Sequence, residues 1–132
     1  MVAIPKKVLD LLADKGTTKV LVTSNKEGRP HAIVAGSILS PAPDTMIVGE
    51  VLMKVSANNL KENKKAAFLI VKGLESYEIN VRAKARVDSG ADLDNMNKAL
   101  AGMHLHANAI WVFEVCCVSD ESAGPTSGKK LT

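Results

Sequence analysis

Thirteen residues, ESYEINVRAKARV (75–87), alternate between apolar and polar side chains almost throughout. Successive side chains of an extended strand point to opposite faces, so this pattern predicts a strand with one buried and one solvated face. The buried face is expected to carry Tyr77, Ile79, Val81, Ala83, Ala85 and Val87. The opposite face is expected to carry Glu78, Asn80, Arg82, Lys84 and Arg86. The chain must therefore contain a sheet that covers a core.

Five further segments are predicted strands, at 18–25, 30–39, 45–52, 66–72 and 109–118. Helices are predicted at 5–15, 56–63 and 91–103, and loops at 26–29 and 40–44. The first helix has an apolar stripe of Ile4, Val8, Leu11 and Leu12; the last has Leu93, Met96, Leu100 and Met103. Such spacings place the side chains on one face of a helix.

Short connections between successive strands favour antiparallel pairing. A six-stranded sheet can remove its unpaired edge strands by closing into a barrel. The fold class is therefore expected to be mainly β: a six-stranded antiparallel β-barrel with helices packed outside. The 132 residues suit a single domain, 1–132, with a turn-rich tail at 119–132.

The composition argues against several classes of protein. The net charge is +3, and the four aromatic residues are scattered, so neither a basic face nor a stacking platform for nucleic acid is indicated. No segment approaches the roughly 20 apolar residues of a membrane-spanning helix, and the N-terminus lacks a signal-peptide core. Cys116 and Cys117 are adjacent and are expected to be reduced and buried, which suits the cytoplasm.

Side chains for protein-based catalysis are not evident in the sequence. His31, His104 and His106 have no acidic or cysteine partners at a metal-ligand spacing, so no metal site is predicted. No nucleophile elbow is present, and Glu114 could be either buried or solvated.

The segment VLMKVSANNLKENKKAAFLI (51–70) is the most suggestive. A helix N-terminus carries free N–H groups and a partial positive charge, so it can hold a phosphate. Ser56 and Asn59 could reach such an anion, and Lys54 adds a cation. The alternative is a plain helix start, in which Ser56 caps, Asn59 completes a capping box and Lys54 is solvated. Arg82, Lys84 and Arg86 are similarly ambiguous between a solvent face and an anion site.

The order of these elements resembles that of the pyridoxamine 5′-phosphate oxidase-like flavoproteins, the FMN-binding split β-barrels. The resemblance rests on VLVTSNKEGRPHAIV, on TMIVGEVLMK followed by SANNLKENKKAAFLI, and on FEVCCVSDESAGPTSGKK at the end. In the family, the lysine directly precedes the Ser or Thr; in this chain that position is Val55, and Lys54 comes one residue earlier. Arg82 or Lys84 could therefore take the place of this lysine at the phosphate.

The resemblance implies a homodimer with FMN at the subunit interface. It implies that Lys54, Ser56 and Asn59 hold the phosphate or order its loop. The backbone of residues 49–53, which includes Val51, Leu52 and Met53, and the strand around Gly36 and Ser37 would line the flavin. Trp111 and the C-terminal tail would reach the cofactor.

Two functions follow. The first is an FMN-dependent oxidoreductase with an unknown small-molecule substrate; true pyridoxamine phosphate oxidation is not expected, because a basic set for a second phosphate is lacking. The second is a non-catalytic module that carries or stores FMN, deazaflavin F420 or haem, with a histidine as the haem ligand. A dimeric scaffold without a ligand is a third alternative.

Overall fold

The computed structural model describes residues 2–132, which form three helices and eight strands. The helices are α1 (Lys6–Ala13), α2 (Lys54–Glu62) and α3 (Ala91–Ala101). The strands are β1 (Thr18–Ser24), β2 (Pro30–Val34), β3 (Ile38–Ala42), β4 (Thr45–Gly49), β5 (Lys65–Lys72), β6 (Glu75–Val87), β7 (Ile110–Asp120) and β8 (Lys129–Lys130).

All eight strands belong to one antiparallel sheet. Its hydrogen-bonded order is β2-β1-β5-β6-β7-β4-β3, and β8 pairs with β7. Within residues 2–132 no ladder joins the two end strands, β2 and β3, so the sheet is open. The mainly antiparallel β architecture is confirmed, whereas the prediction of six strands in a closed barrel is wrong.

The reason lies in the segment predicted as one strand at 30–39. It breaks at residues 35–37, so that β2 pairs with β1 while β3 pairs with β4. Backbone bonds fix the break on both sides: Ala35 N–H donates to Lys19 O at 2.9 Å, and Gly49 N–H donates to Ser37 O at 2.9 Å. Only three residues thus separate β2 from β3, the strands at the two ends of the sheet. The sheet must therefore curve so that these two strands lie close together, although no ladder joins them.

A bulge near the end of β6 changes which face its side chains occupy. The register with β7 shifts between Ala83 and Ala85, so Lys84 is an extra residue on β6. Beyond it, Arg86 lies opposite Trp111, and Val87 packs in the cluster under α3. The predicted faces are confirmed from Tyr77 to Ala83 and are wrong beyond the bulge, where Ala85 is exposed.

A second bulge, between residues 80 and 81 of β6, leaves Cys116 as the unpaired residue of β7. Cys116 is exposed and Cys117 is half-buried, and both are free thiols. The prediction that both are buried is wrong, because the bulge turns Cys116 out of the regular alternation.

The larger core cluster lies between α1, α2 and one face of the sheet. The predicted stripe of α1 is confirmed, because Ile4, Val8, Leu11 and Leu12 are all buried there. At its centre the rings of Phe68 and Phe113 meet edge to face, with centroids 5.2 Å apart.

The smaller cluster joins α3 to the outer side of β4 and β7. Leu93, Met96 and Leu100 of the predicted stripe are buried. Met103 is 58% exposed, contrary to the prediction, because the helix ends at Ala101.

The C-terminal segment folds back on the sheet. Gly128 has a φ of 86°, a conformation that favours glycine, and its N–H donates to Asp120 O at 2.7 Å. Leu131 N–H donates to Val118 O at 2.8 Å. The predicted turn-rich tail therefore includes the short strand β8. No helix within residues 2–132 has the length and apolar character needed to cross a membrane.

Candidate functional site

The connection between β4 and α2 separates two surface grooves. Val51, Leu52 and Met53 line both of them, so these predicted cofactor-binding residues occupy the ridge between the grooves. Leu52 is 90% exposed at the crest.

The first groove is apolar and has a volume of about 220 Å³. It brings together the predicted residues Gly36 and Ser37 with Gly49 and with α3 and the loop that follows it. Ser37 Oγ donates to Gly49 O at 3.0 Å, which ties β3 to β4 at the floor. A Cβ on Gly49 would lie 3.1 Å from Met96 Cγ, so glycine permits the close packing of α3 beneath this groove.

The second groove has a mixed lining and is called the polar groove here because five of its nine lining residues are polar or charged. Its volume of about 570 Å³ is within the range of about 300–1,000 Å³ usual for small-molecule sites. Lys54, Asn58 and Lys61 line it from α2, at the i, i+4 and i+7 positions of one helix face. Glu50 and Asn108 face them from the other side.

The N-terminus of α2 opens onto this groove. The helix begins at Lys54, so Ser56 lies in its first turn and is not its cap. The residue in the cap position, Met53, makes no side-chain cap hydrogen bond, and the first turn contains no acidic residue. The other two helices also lack a side-chain cap hydrogen bond, and only α3 carries acidic residues, Asp92 and Asp94, in its first turn. The first-turn N–H groups of α2 are therefore left without a side-chain acceptor.

Ser56 is fully buried, and its Oγ is the one buried side-chain nitrogen or oxygen within residues 2–132 that lacks a hydrogen-bond partner. Leaving such a group unsatisfied costs free energy, so it requires an explanation. Asn59, also on the buried face, donates from Nδ2 to Thr23 Oγ1 at 3.1 Å. Of the three predicted phosphate residues, only Lys54 lines the groove.

Glu50 is the centre of a hydrogen-bond network beside the polar groove. Arg86 donates from Nε to Oε1 at 3.1 Å and from Nη2 to Oε2 at 2.8 Å. Trp111 Nε1 donates to Oε1 at 2.8 Å. The hydrogen bond from Arg86, more than any other cause, lowers the pKa of the Glu50 carboxyl below its ordinary value.

Trp111 itself is 3% exposed and belongs to the larger core cluster. Its indole N–H is occupied by Glu50, and Lys64 Nζ lies 5.9 Å from its ring centroid. The predicted direct contact between Trp111 and a cofactor stays a prediction.

Five residues that line the polar groove were not predicted as site residues: Glu50, Ala57, Asn58, Lys61 and Asn108. Lys61 had a detectable signal, since it follows Lys54 by seven residues on a helical face. The backbone of Glu50 fell within the predicted segment 49–53, but its side-chain role had no signal, because the partners come from β6 and β7 and depend on the bulge.

The predicted alternatives to Lys54 lie elsewhere. Arg82 is exposed, and it faces Lys65 on β5 and Glu114 on β7. Lys84 Nζ lies 3.8 Å from Glu114 Oε2. Neither lines the polar groove, and Arg86 is paired with Glu50.

The histidines of the α3–β7 loop are exposed, and they flank Leu105, which lines the apolar groove. Within residues 2–132 no group of three or more His, Cys, Asp or Glu side chains could hold a metal ion.

A third groove, of about 580 Å³, lies between α1, β3 and α3. It contains none of the predicted site residues, and Asp92 at the first turn of α3 disfavours an anion there. The α2 end is therefore the better candidate for an anionic ligand.

No protein-family model matches this chain, and no curated protein sequence matches it. Solved structures do match it. HupZ of Group A Streptococcus matches with a TM-score of 0.80 and 20% identity, over 95% of this chain and 99% of that one. An FMN-binding protein from Syntrophomonas wolfei gives 0.79 and 17%, over 91% and 90% of the two chains. A candidate pyridoxamine 5′-phosphate oxidase from Lactobacillus delbrueckii gives 0.72 and 16%, over 88% and 93%.

An F420 reductase and HutZ, the heme storage protein of Vibrio cholerae, share the fold with TM-scores of 0.70 and 0.60. At such low identities these matches establish the fold alone. The chain has the split-barrel fold of the pyridoxamine 5′-phosphate oxidase-like proteins.

Proposed function

Starting from the split-barrel fold, we propose that this protein binds FMN across the ridge at residues 51–53 and acts as an FMN-dependent oxidoreductase, with a homodimer as the functional form. The FMN-binding protein of Syntrophomonas wolfei has the same fold, which supports a flavin-type cofactor.

One observation carries the proposal: the uncapped N-terminus of α2 lies between a polar and an apolar groove. The first-turn N–H groups and Lys54 form a suitable receptor for a phosphate. The neighbouring apolar groove suits an aromatic ring system. The residues present therefore fit FMN, which needs both kinds of surface within one site.

Each part of the chain has a role in this proposal. The backbone of residues 54–56 and Lys54 would hold the phosphate, while Asn59 orders the helix through Thr23. The ridge and the floor at Gly36, Ser37 and Gly49 would hold the ring and exclude water. FMN, when bound, supplies the electron chemistry, which explains why no protein nucleophile is needed.

Exposed apolar side chains support the homodimer. Val34 is 74% exposed, Leu52 90%, Met103 58% and Leu105 39%, and all four line the apolar groove. A contiguous apolar surface of this kind is typical of an interaction site. A second copy of the chain would cover it and complete the pocket.

The decisive test is mass spectrometry of any ligand released from the native protein, followed by titration of the ligand-free protein with FMN. Lys54→Gln should weaken FMN binding by about tenfold, since it removes a charge-assisted contact. Lys15→Gln removes an exposed lysine outside the grooves and should change the affinity by less than about twofold. Equal affinities for the two variants would contradict the phosphate site.

Reduction of the bound flavin by NADH or NADPH would distinguish an enzyme from a carrier. A flavin that binds tightly but is reduced by neither nucleotide, nor by other small-molecule donors, would favour storage.

Haem binding is the second candidate, because His104 and His106 flank the lining residue Leu105. The fold is shared with the heme storage protein HutZ. Titration with haemin and with FMN, in separate experiments, separates the two: a Soret shift that is lost in His104→Ala or His106→Ala would favour haem. The F420 alternative is tested by the same titration with that deazaflavin.

A further inference from the structure

We propose that Glu50 is the positioning residue of the cofactor site: its bonds to Arg86 and Trp111 hold the ridge at residues 51–53 and the start of α2 in place. The inference rests on the proposed function to the extent that this ridge lines the proposed cofactor grooves. It assigns to Trp111 a role through Glu50 instead of a direct cofactor contact.

The Glu50 side chain is fixed by donors from two different strands. Arg86 of β6 supplies two hydrogen bonds, and Trp111 of β7 supplies a third. The backbone of Glu50 is fixed as well: its N–H donates to Ala109 O at 2.9 Å, and its carbonyl accepts from Asn108 N–H at 3.3 Å. Five bonds therefore converge on one residue at the end of β4.

The ridge that follows has little support of its own. Within residues 2–132, Val51 and Leu52 make no backbone–backbone hydrogen bond. The next anchored group is Met53 O, which accepts from Ala57 N–H at 2.8 Å and forms the first bond of α2. Glu50 is thus the last fixed point before the helix N-terminus, and a shift of Glu50 would be passed directly to the ridge.

The strength of the anchor follows from charge and burial. The Glu50 side chain is 17% exposed and that of Arg86 is 36% exposed, so solvent screens their interaction only partly. A two-pronged contact between a guanidinium and a carboxylate fixes orientation as well as distance. Replacing either partner would leave the other partly buried and incompletely paired.

Trp111 also connects Glu50 with the far end of α2. Lys64, two residues beyond that helix, places its Nζ 5.9 Å from the indole centroid and donates to Leu60 O at 3.2 Å. Lys64 O accepts from Ala83 N–H at 2.8 Å. One indole therefore lies between the residues that precede and follow α2, which suits a role in setting the position of the whole helix.

The variant that tests this role is Glu50→Gln, which keeps the size of the side chain and an acceptor for Trp111 but removes the charge. Glu114→Gln is the matched control. Glu114 is also a partly exposed carboxylate on the sheet, at 23%, and its cation is Lys84, but it does not line either groove. A second variant, Arg86→Lys, keeps the charge and loses the planar fork, in case Glu50→Gln does not fold.

The first measurement is amide hydrogen exchange by NMR in the ligand-free protein. The Ala57 and Asn108 amides report on the ridge, and the Ala123 amide, which donates to Leu74 O, reports on a distant turn. We expect Glu50→Gln to raise exchange at Ala57 and Asn108 by about tenfold relative to Ala123, which corresponds to about 1.4 kcal/mol. A purely global loss of stability would raise all three alike, which would overturn the proposal.

The second measurement is the FMN dissociation constant of the same folded variants. Glu50→Gln should raise it about tenfold, and Glu114→Gln should change it by less than about twofold. An unchanged affinity in Glu50→Gln, with wild-type protein that binds FMN, would overturn the positioning role. If wild-type protein does not bind FMN, the proposed function fails, and the exchange pattern alone then decides whether Glu50 positions the ridge.

Discussion

Arg86 and Trp111 lie directly opposite each other on β6 and β7, and both donate to the same oxygen of Glu50, at 3.1 and 2.8 Å. This arrangement depends on the bulge at Lys84, which moves Arg86 off the face occupied by the alternating polar residues of β6. A single extra residue in a strand thus brings a cation to the base of the candidate site. The bulge therefore supports the candidate site through Glu50, although Lys84 and Arg86 themselves line neither groove.

The first prediction concerns self-association through the apolar groove. Leu52→Glu should convert a dimer to a monomer, because it places a charge on the 90% exposed crest of the ridge. Sedimentation velocity measures the change. The matched control is Leu74→Glu, at a 74% exposed leucine in the β5–β6 turn, outside the groove. Dissociation by both variants, or by neither, would contradict an interface at the groove.

The second prediction concerns the unpartnered hydroxyl of Ser56. Ser56→Ala should stabilise the ligand-free protein by about 1 kcal/mol, because it removes a buried polar group without losing a hydrogen bond. The better helix propensity of alanine acts in the same direction. Denaturant unfolding measures the effect. Ser37→Ala is the control: it removes a hydroxyl that donates to Gly49 O, and it should destabilise by about 1 kcal/mol. Destabilisation by Ser56→Ala would show that the hydroxyl has a partner.

The sequence predicted β1, β4, β5, β6, β7 and the α1 stripe because these depend on local periodicity. It merged β2 with the start of β3, placed the rest of β3 in a loop at 40–44, and missed β8. Alternation placed Ile79, Val81 and Ala83 in the core correctly. It failed beyond Lys84, since the register shift arises from the pairing of β6 with β7, which alternation within one strand does not report.

The candidate site was only partly predictable for a similar reason. Lys54 was singled out from the local sequence, whereas residues 51–53 were predicted only from the family resemblance. The start of α2 was misplaced by two residues because Ser56 resembles a cap. The break at Gly36 was missed, since an apolar run continues through it. Glu50 acquires its importance only from strands far away along the chain.

The third prediction uses the single tyrosine of the sequence. A hydrogen bond from Tyr77 Oη to Glu75 Oε2, at 2.7 Å, together with burial, raises the pKa of Tyr77 to about 12 from 10.0. The folded state therefore holds this proton more tightly than the unfolded state. The resulting stabilisation is complete below about pH 10 and is lost as the pH rises towards about 12.

Tyrosinate absorbance during an alkaline titration measures this pKa without interference from other tyrosines. Glu75→Gln should lower the midpoint, because it removes the carboxylate that contributes most to the shift. A wild-type midpoint near 10 in the folded protein would show that the hydrogen bond is absent in solution.

The fourth prediction concerns the loop between α3 and β7, which carries two lining residues of the apolar groove. The Asn97 amide donates to Ala107 O at 3.1 Å and accepts from Ala107 N–H at 2.8 Å, so it closes the loop by two bonds. Asn97→Ala should destabilise the protein by about 1–3 kcal/mol and raise exchange at the Ala107 amide. Asn95→Ala, at an exposed position of the same helix, should change stability by less than about 0.5 kcal/mol.

Ala107 is fully buried, so the loop is held in place on both sides of Leu105: by α3 before it and by Ala107 after it. The position of Leu105 at the groove therefore depends on the Asn97 bonds. Asn97→Ala should also weaken FMN binding, whereas Asn95→Ala should not. If both variants bind FMN as the wild-type protein does, then the loop does not shape the cofactor site, and the ridge and α2 alone define it.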